Sequence, residues 1–371
     1  MAEATQTKTT IAIDPVTRIE GHLKAEVVVE NGKVVDAKLT GGMYRGFESI
    51  LRGRHPRDAA QIVQRICGVC PTAHATAASI ALEKASGTAV PSNGRATRNL
   101  ILGANYLQSH ILHFYHLAGQ DFIQGPDTAP FMPRYAKPDL RLPPAINAVG
   151  VDQYVEALEV RAVCHEMVAL FGGRMPHVHG ILAGGAAEIP TKEKLVEYAA
   201  RFKKVRKFVE EKYLPVVYLV GSQYKDLGAF GQGYRNALCV GVFPLDDEGK
   251  EFVFKAGAYQ DGKDMPFDVK RVTEDVKFSW FADSTSGKPF TKGENVLEVD
   301  KKGAYSFVKA PLYNGKPMEV GPLARMWVNN KPISPIGQKL FKEYFGLDVK
   351  NFRDMGEDLA FSLLGRHVAR A

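Results

Sequence analysis

Cysteine is scarce: four in 371 residues, too few for the disulfide framework of a small secreted domain. Long apolar runs are missing as well. No stretch approaches the roughly 18 consecutive apolar residues of a membrane span. Residues 1–10 are polar and lack the apolar core of a secretory signal. The chain is therefore expected neither to span a membrane nor to carry its own export signal. Basic clustering is also absent. The formal charge of +7, from 48 Lys and Arg against 41 Asp and Glu, is spread along the chain, and the densest run is Lys203, Lys204, Arg206 and Lys207. A nucleic-acid groove needs clustering on one face, so nucleic acid is excluded as a partner. What is present, 45% hydrophobic and 24% charged residues, describes a folded protein. At roughly 150 residues per domain, its length suits two or three domains, or one large core with an inserted module.

The N-terminal segment reads as a β hairpin. Leu23, Ala25, Val27 and Val29 alternate with polar residues, Asn31-Gly32 supplies the turn, and Val34 to Leu39 returns. Helical texture follows: Asp58 to Ile66, then Thr72 to Ala85 closed by Gly87, on either side of Cys67-Gly68-Val69-Cys70-Pro71. Between Thr97 and Ala118, residues Leu100, Ala104, Leu107, Ile111, Phe114 and Ala118 form one apolar stripe. Val151 to Phe171 and Thr191 to Tyr213 repeat the pattern, with Thr191 as N-cap of the latter. From Leu238 to Lys309 short β runs such as Phe252–Phe254 and Val276–Trp280 alternate with turns. Helix returns from Ile336 and runs uncapped to Ala371. The expected fold is α+β: a helical bundle body with an N-terminal antiparallel β hairpin region and an inserted β module. The expected segments are 1–55 (β), 56–236 (helical body), 237–320 (β module) and 321–371 (return to the body, truncated).

The informative stretch is Arg65-Ile66-Cys67-Gly68-Val69-Cys70-Pro71-Thr72-Ala73-His74. Two thiols in a CxxC turn can reach one metal ion, and Gly68 permits the bend. Pro71 at the first helical position puts Cys70 at the N-cap, where the helix dipole and a nearby Arg65 favour a thiolate. His74 falls one turn later on the same face. Such a cradle suits a soft or borderline metal. On these residues alone, a thioredoxin-like dithiol, half a zinc site and two inert packed thiols remain open. Cys164 and Cys239 sit on apolar faces and read as core. His110, His113 and His116, three apart on a helix, drift around it and read as hydrogen-bonding groups at the core edge rather than a ligand row.

Arg65-Ile66-Cys67-Gly68-Val69-Cys70 resembles the N-terminal metal-binding signature of nickel–iron hydrogenase large subunits. Further boxes resemble the family in the same order: Asp14 to His22, Arg45 to Glu48, His113 to Leu117, Gly172 to His177, Glu319 to Arg325 and Gly365 to Arg370. The texture, including Gln108-Ser109-His110, is most similar to the nickel–iron–selenium subgroup, although Ser109 stands where other members carry Asp. The resemblance implies reversible heterolytic oxidation of H2 to protons and electrons at a Ni–Fe centre with CO and CN ligands on iron. It implies Cys67 as a terminal nickel ligand, Cys70 as one bridging to iron, and His74 as a hydrogen-bond partner behind them. Glu20 would relay the proton, in a site whose burial lifts its pKa. Glu48 would help hold Mg2+. Arg65 would lie behind the thiolates, and His177 near the partner's proximal cluster. The implied partner is an iron–sulfur small subunit, which would also carry the export signal to the periplasm or the membrane surface; a cytoplasmic home stays open.

The family's second cysteine motif is not found. Cys239 is the last cysteine, and the chain stops at Ala371 soon after a box that lies well before the C-terminus in relatives. The expectation is of half a ligand set, inactive without the small subunit and a missing C-terminal segment. A split subunit, a fragment and a degenerate scaffold all fit this. Two readings from other classes stand beside it: a non-catalytic hydrogenase-like structural subunit, and a CxxC thiol-redox or zinc protein.

Overall fold

The structure is a computed structural model describing residues 8–134, 138–289, 292 and 294–371; most of the polar start weighed above as an export signal lies outside them. The chain forms two compact units, Met1–Ile50 with Asp268–Met318, and Leu51–Phe267 with Glu319–Ala371. The stretch 237–320 is thus divided at Asp268, its first part lying within the helical unit.

In the first unit Leu23–Glu30 and Lys33–Gly41 pair antiparallel. Asn31 and Gly32 both have positive φ (51° and 76°), the backbone of a type I′ turn, which is why Asn-Gly suits this position. A third strand, Lys8–Ile13, pairs with Leu23–Glu30, Ile11 opposite Val27. Ile11 and Ile13, two residues apart, share one face of this strand. Val272–Asp275 pairs with Ala310–Tyr313, followed by a turn at Asn314-Gly315. The run Val276–Trp280 is not a strand: the Ser279 N–H turns back to the Val276 carbonyl (2.9 Å), burying Val276 and leaving only an isolated bridge, Ser279 with Ser306.

In the second unit, five helices build the main core: Pro71–Ser86, Ser92–Leu112, Pro144–Gly172, Lys192–Phe208 and Leu214–Gln223. The apolar stripe faces inward, with Ala104, Ile111 and Phe114 packed in a cluster with Val160, Cys164, Met167 and Phe171. Gly87 closes its helix in left-handed backbone (φ 67°), and Thr191 Oγ1 accepts from Lys194 N–H as N-cap. Two of the expected long helices change pitch. Residues His113–Ala118 and Val209–Tyr213 are π-helical turns, after which the latter continues as Leu214–Gln223. A second cluster gathers Trp327, Phe341, Phe352 and Phe361. The C-terminal helix is not continuous: Glu357–Ala360 ends, and Ser362 Oγ caps Leu363–Val368 by accepting from Gly365 N–H (3.1 Å).

The stretch Asp58–Ile66 is not one helix either. It runs as a 3-10 turn, a single α turn Ala59–Ile62 and a second 3-10 turn Val63–Ile66. The tightened last turn delivers Cys67 into extended backbone (φ −146°, ψ 127°), and the chain re-enters helix at Pro71. This break creates the loop that carries both thiols.

Candidate metal centre

Cys67 and Cys70 are not joined in a disulfide and are half-buried. The Cys70 N–H donates to Cys67 Sγ at 3.3 Å, the contact that folds the loop so that both sulfurs share one turn. Cys70 is the residue before helix Pro71–Ser86, as Pro71 at its first position dictates. One turn on, His74 Nε2 lies 3.8 Å from Cys70 Sγ. Burial lowers the His74 pKa, which favours the neutral imidazole with one N–H to donate. Gly68 does not have positive φ, and a Cβ there meets open space, so the bend expected of it does not depend on glycine.

Two buried glutamines border this loop, and sequence reading assigned neither a role. Gln64 Nε2 donates to the carbonyls of Ala60 (3.0 Å) and Val178 (2.9 Å), while its backbone carbonyl accepts from Cys67 N–H (3.3 Å). Gln108 Nε2 donates to the Val69 carbonyl (2.8 Å) and Ser109 Oγ (3.0 Å), and its Oε1 accepts from Arg161 Nε (3.1 Å). Both side chains are wholly buried.

Arg65 Nη1 donates to the Gln61 carbonyl (2.6 Å). Arg65 and His177 lie near each other: burial first, then the charges of Arg65 and Arg174, lower the His177 pKa. His177 holds left-handed backbone (φ 62°), with its carbonyl accepting from Arg174 Nε (2.8 Å). Glu20 and Glu48 belong to the other unit and are exposed there. The desolvation invoked for Glu20 is therefore not supplied by that unit. Cys164 and Cys239 are buried in the core, and burial pushes the Cys164 thiol up to about 12. His110 Nδ1 meets the Arg370 carbonyl (2.8 Å) and His116 Nε2 the Tyr154 carbonyl (3.2 Å), so two of the three spaced histidines make hydrogen bonds to backbone.

Among the described residues no three His, Cys, Asp or Glu side chains gather as a closed metal site. Two thiols backed by an imidazole match a soft or borderline metal in donor type and supply part of its ligand set. No described helix is long and apolar enough to cross a membrane.

The family model described as nickel-dependent hydrogenase matches residues 45–127 and 120–371, and one described as HoxL-like matches 10–40. The chain is 60% identical to the periplasmic [NiFeSe] hydrogenase large subunit of Desulfomicrobium baculatum, covering 97% of this chain and 72% of that one. It is 33% identical to the hydrogenase-2 large chain of Escherichia coli K12, covering 86% and 67%. The solved Ni-Fe-Se hydrogenase of D. vulgaris Hildenborough superposes with a TM-score of 0.96 at 71% identity, over 98% of this chain and 76% of that one. These relatives favour neither the structural-subunit reading nor the thiol or zinc reading. They imply a Ni–Fe centre and a small-subunit partner. The chain belongs to the nickel-dependent hydrogenase large-subunit family, whose named members are oxidoreductases acting on H2.

Proposed function

We propose that Cys67 and Cys70 are this catalytic subunit's own sulfur ligands to the Ni–Fe centre, Cys67 to nickel alone and Cys70 shared with an iron that carries CO and CN. The observation that carries this reading is the loop itself: two thiols on one turn, joined by the Cys70 N–H, with His74 behind Cys70. Cys164 and Cys239 are core residues, so the further sulfur ligands of a four-sulfur site are not among the four cysteines of this sequence.

When bound, the centre supplies a Lewis acid and a sulfur base between which H2 is split heterolytically. The chain's residues hold, orient and shield that chemistry. A neutral His74 can donate its single N–H toward the Cys70 sulfur or a ligand beside it, steadying the negative charge there. Glu20 would accept the released proton, a general-base task that suits a carboxylate, and its place in the Asp14 to His22 box supports this. Glu48 contributes a hard oxygen to a Mg2+ ion. Iron–sulfur clusters of the small subunit would take the electrons; the Gly172 to His177 box supports His177 as the residue near them, with Arg65 behind the thiolates. The periplasmic relative supports a periplasmic location, free or held at the membrane through that partner.

Metal analysis and infrared spectroscopy of the enzyme assembled with its small subunit test this. Nickel and iron in equal amounts, with CO and CN bands, are expected. Zinc alone, or no metal, would overturn the assignment. Glu20→Gln should leave metal content intact and slow hydrogen–deuterium exchange severely; an unchanged exchange rate removes Glu20 from the proton route.

A further inference from the structure

The Val69–Cys70 peptide is held from both ends. Its carbonyl accepts from Gln108 Nε2 (2.8 Å), and its N–H donates to Cys67 Sγ (3.3 Å). In a trans peptide these two groups point in opposite directions, so orienting the carbonyl toward Gln108 aims the N–H at the sulfur. The orientation of the Gln108 amide is itself determined. Arg161 Nε can only donate and meets Oε1 (3.1 Å); the Val69 carbonyl can only accept and takes Nε2. The second Nε2 hydrogen goes to Ser109 Oγ (3.0 Å). A flipped amide would set donor against donor at Arg161 and acceptor against acceptor at Val69.

We infer that Gln108 is a positioning residue that links the Arg161 guanidinium, through the Val69–Cys70 peptide, to a hydrogen bond on the Cys67 sulfur, and so sets that sulfur's direction and donor strength toward the metal. Hydrogen bonds in series polarise one another, and a charged group at the head of the series strengthens it. Hydrogen bonds to a sulfur ligand are one of the levers by which a protein tunes a thiolate-bound metal. Gln64 holds the entry to the loop independently, through its backbone carbonyl to Cys67 N–H and its side-chain amide to Val178. A change at Gln108 should therefore reorient one peptide without unfolding the loop. The inference rests on the reading of Cys67 as a nickel ligand.

Three variants of the enzyme assembled with its small subunit test it. Gln108→Leu removes both ends of the amide at similar volume. Gln108→Glu keeps an acceptor for Arg161 and loses the donor to Val69, and so carries the test if the Leu variant does not fold. Gln108→His restores a donor. Amide hydrogen exchange at Cys70 reads the N–H···S bond directly, and the redox midpoint of the nickel signal reads the sulfur's donor strength. In the Leu and Glu variants, Cys70 exchange should rise about five- to tenfold and the midpoint should move, with nickel content retained. The His variant should return both toward the parent. Unmoved exchange, or an unmoved midpoint, in the Leu and Glu variants overturns the inference. Nickel analysis of Cys67→Ser separates the two failures: nickel lost there while the Gln108 variants behave as parent overturns the relay alone, whereas nickel retained there overturns the ligand assignment beneath it.

Discussion

Glu83 and Arg98 join the helix that starts at the cysteine loop to the helix that carries Gln108. Their side chains are only 9% and 8% exposed. Arg98 Nη1 reaches Glu83 Oε2 (3.2 Å), Nη2 meets Glu83 Oε1 and the carbonyls of Leu182 (2.7 Å) and Gly185 (3.2 Å), and Gly184 N–H donates to Glu83 Oε1 (2.8 Å). Glu83→Gln nearly preserves the shape and removes the charge, leaving a buried guanidinium with no counter-ion in this cluster. Breaking a buried pair in this way costs about 3–5 kcal/mol. At about 2 °C per kcal/mol for a unit of this size, the melting midpoint should fall by about 6–10 °C. The comparison is made by calorimetry at one scan rate, because unfolding of a long chain is governed by its rate. The double variant Glu83→Leu with Arg98→Met should recover most of the loss, since an apolar replacement of a buried pair is often neutral. A fall of less than about 2 °C for Glu83→Gln, well below the cost of an unpaired buried charge, or a double variant as unstable as the two singles summed, would refute the reasoning.

Acid should weaken the helical unit. Burial first, then nearby arginine charge, lowers His110 and His367 to about 4 and His113 to about 3. Because the unfolded chain binds protons first, below its own pKa of about 6.5, the stability these groups contribute is present above that pH and erodes as pH falls toward about 4. The melting midpoint should drop across that window and drop less in His367→Gln; a flat parent profile contradicts this. Gly365→Ala should abolish soluble folded protein, because a Cβ there would lie 2.1 Å from the Leu359 carbonyl oxygen and 2.3 Å from that of Ala360, which are backbone and cannot move aside. Parent-like yield and melting would show that the Ser362 cap region can relax.

The sequence was most legible where local chemistry decides structure. Asn31-Gly32 marked its hairpin turn, Gly87 its helix end and Thr191 its N-cap, since each satisfies a backbone need within a few residues. Pro71 likewise placed Cys70 at the mouth of a helix and His74 behind it. Where tertiary packing decides, the reading was poorer. The π-helical turns at His113–Ala118 and Val209–Tyr213 keep an apolar pattern that looks like ordinary helix. Val276–Trp280 has strand composition, yet burying Val276 in a turn wins over extending it. Gln64 and Gln108 carry no signal of their own, because a buried glutamine gains meaning only from the loop that folding brings to it.

The most direct test of the central assignment is nickel per chain in the assembled enzyme, measured for the parent and for single replacements of each cysteine. Cys67→Ser and Cys70→Ser should each lose nickel, while Cys164→Ala and Cys239→Ala, altered in the core, should keep it. Nickel retained at parent level in both loop variants would contradict the account.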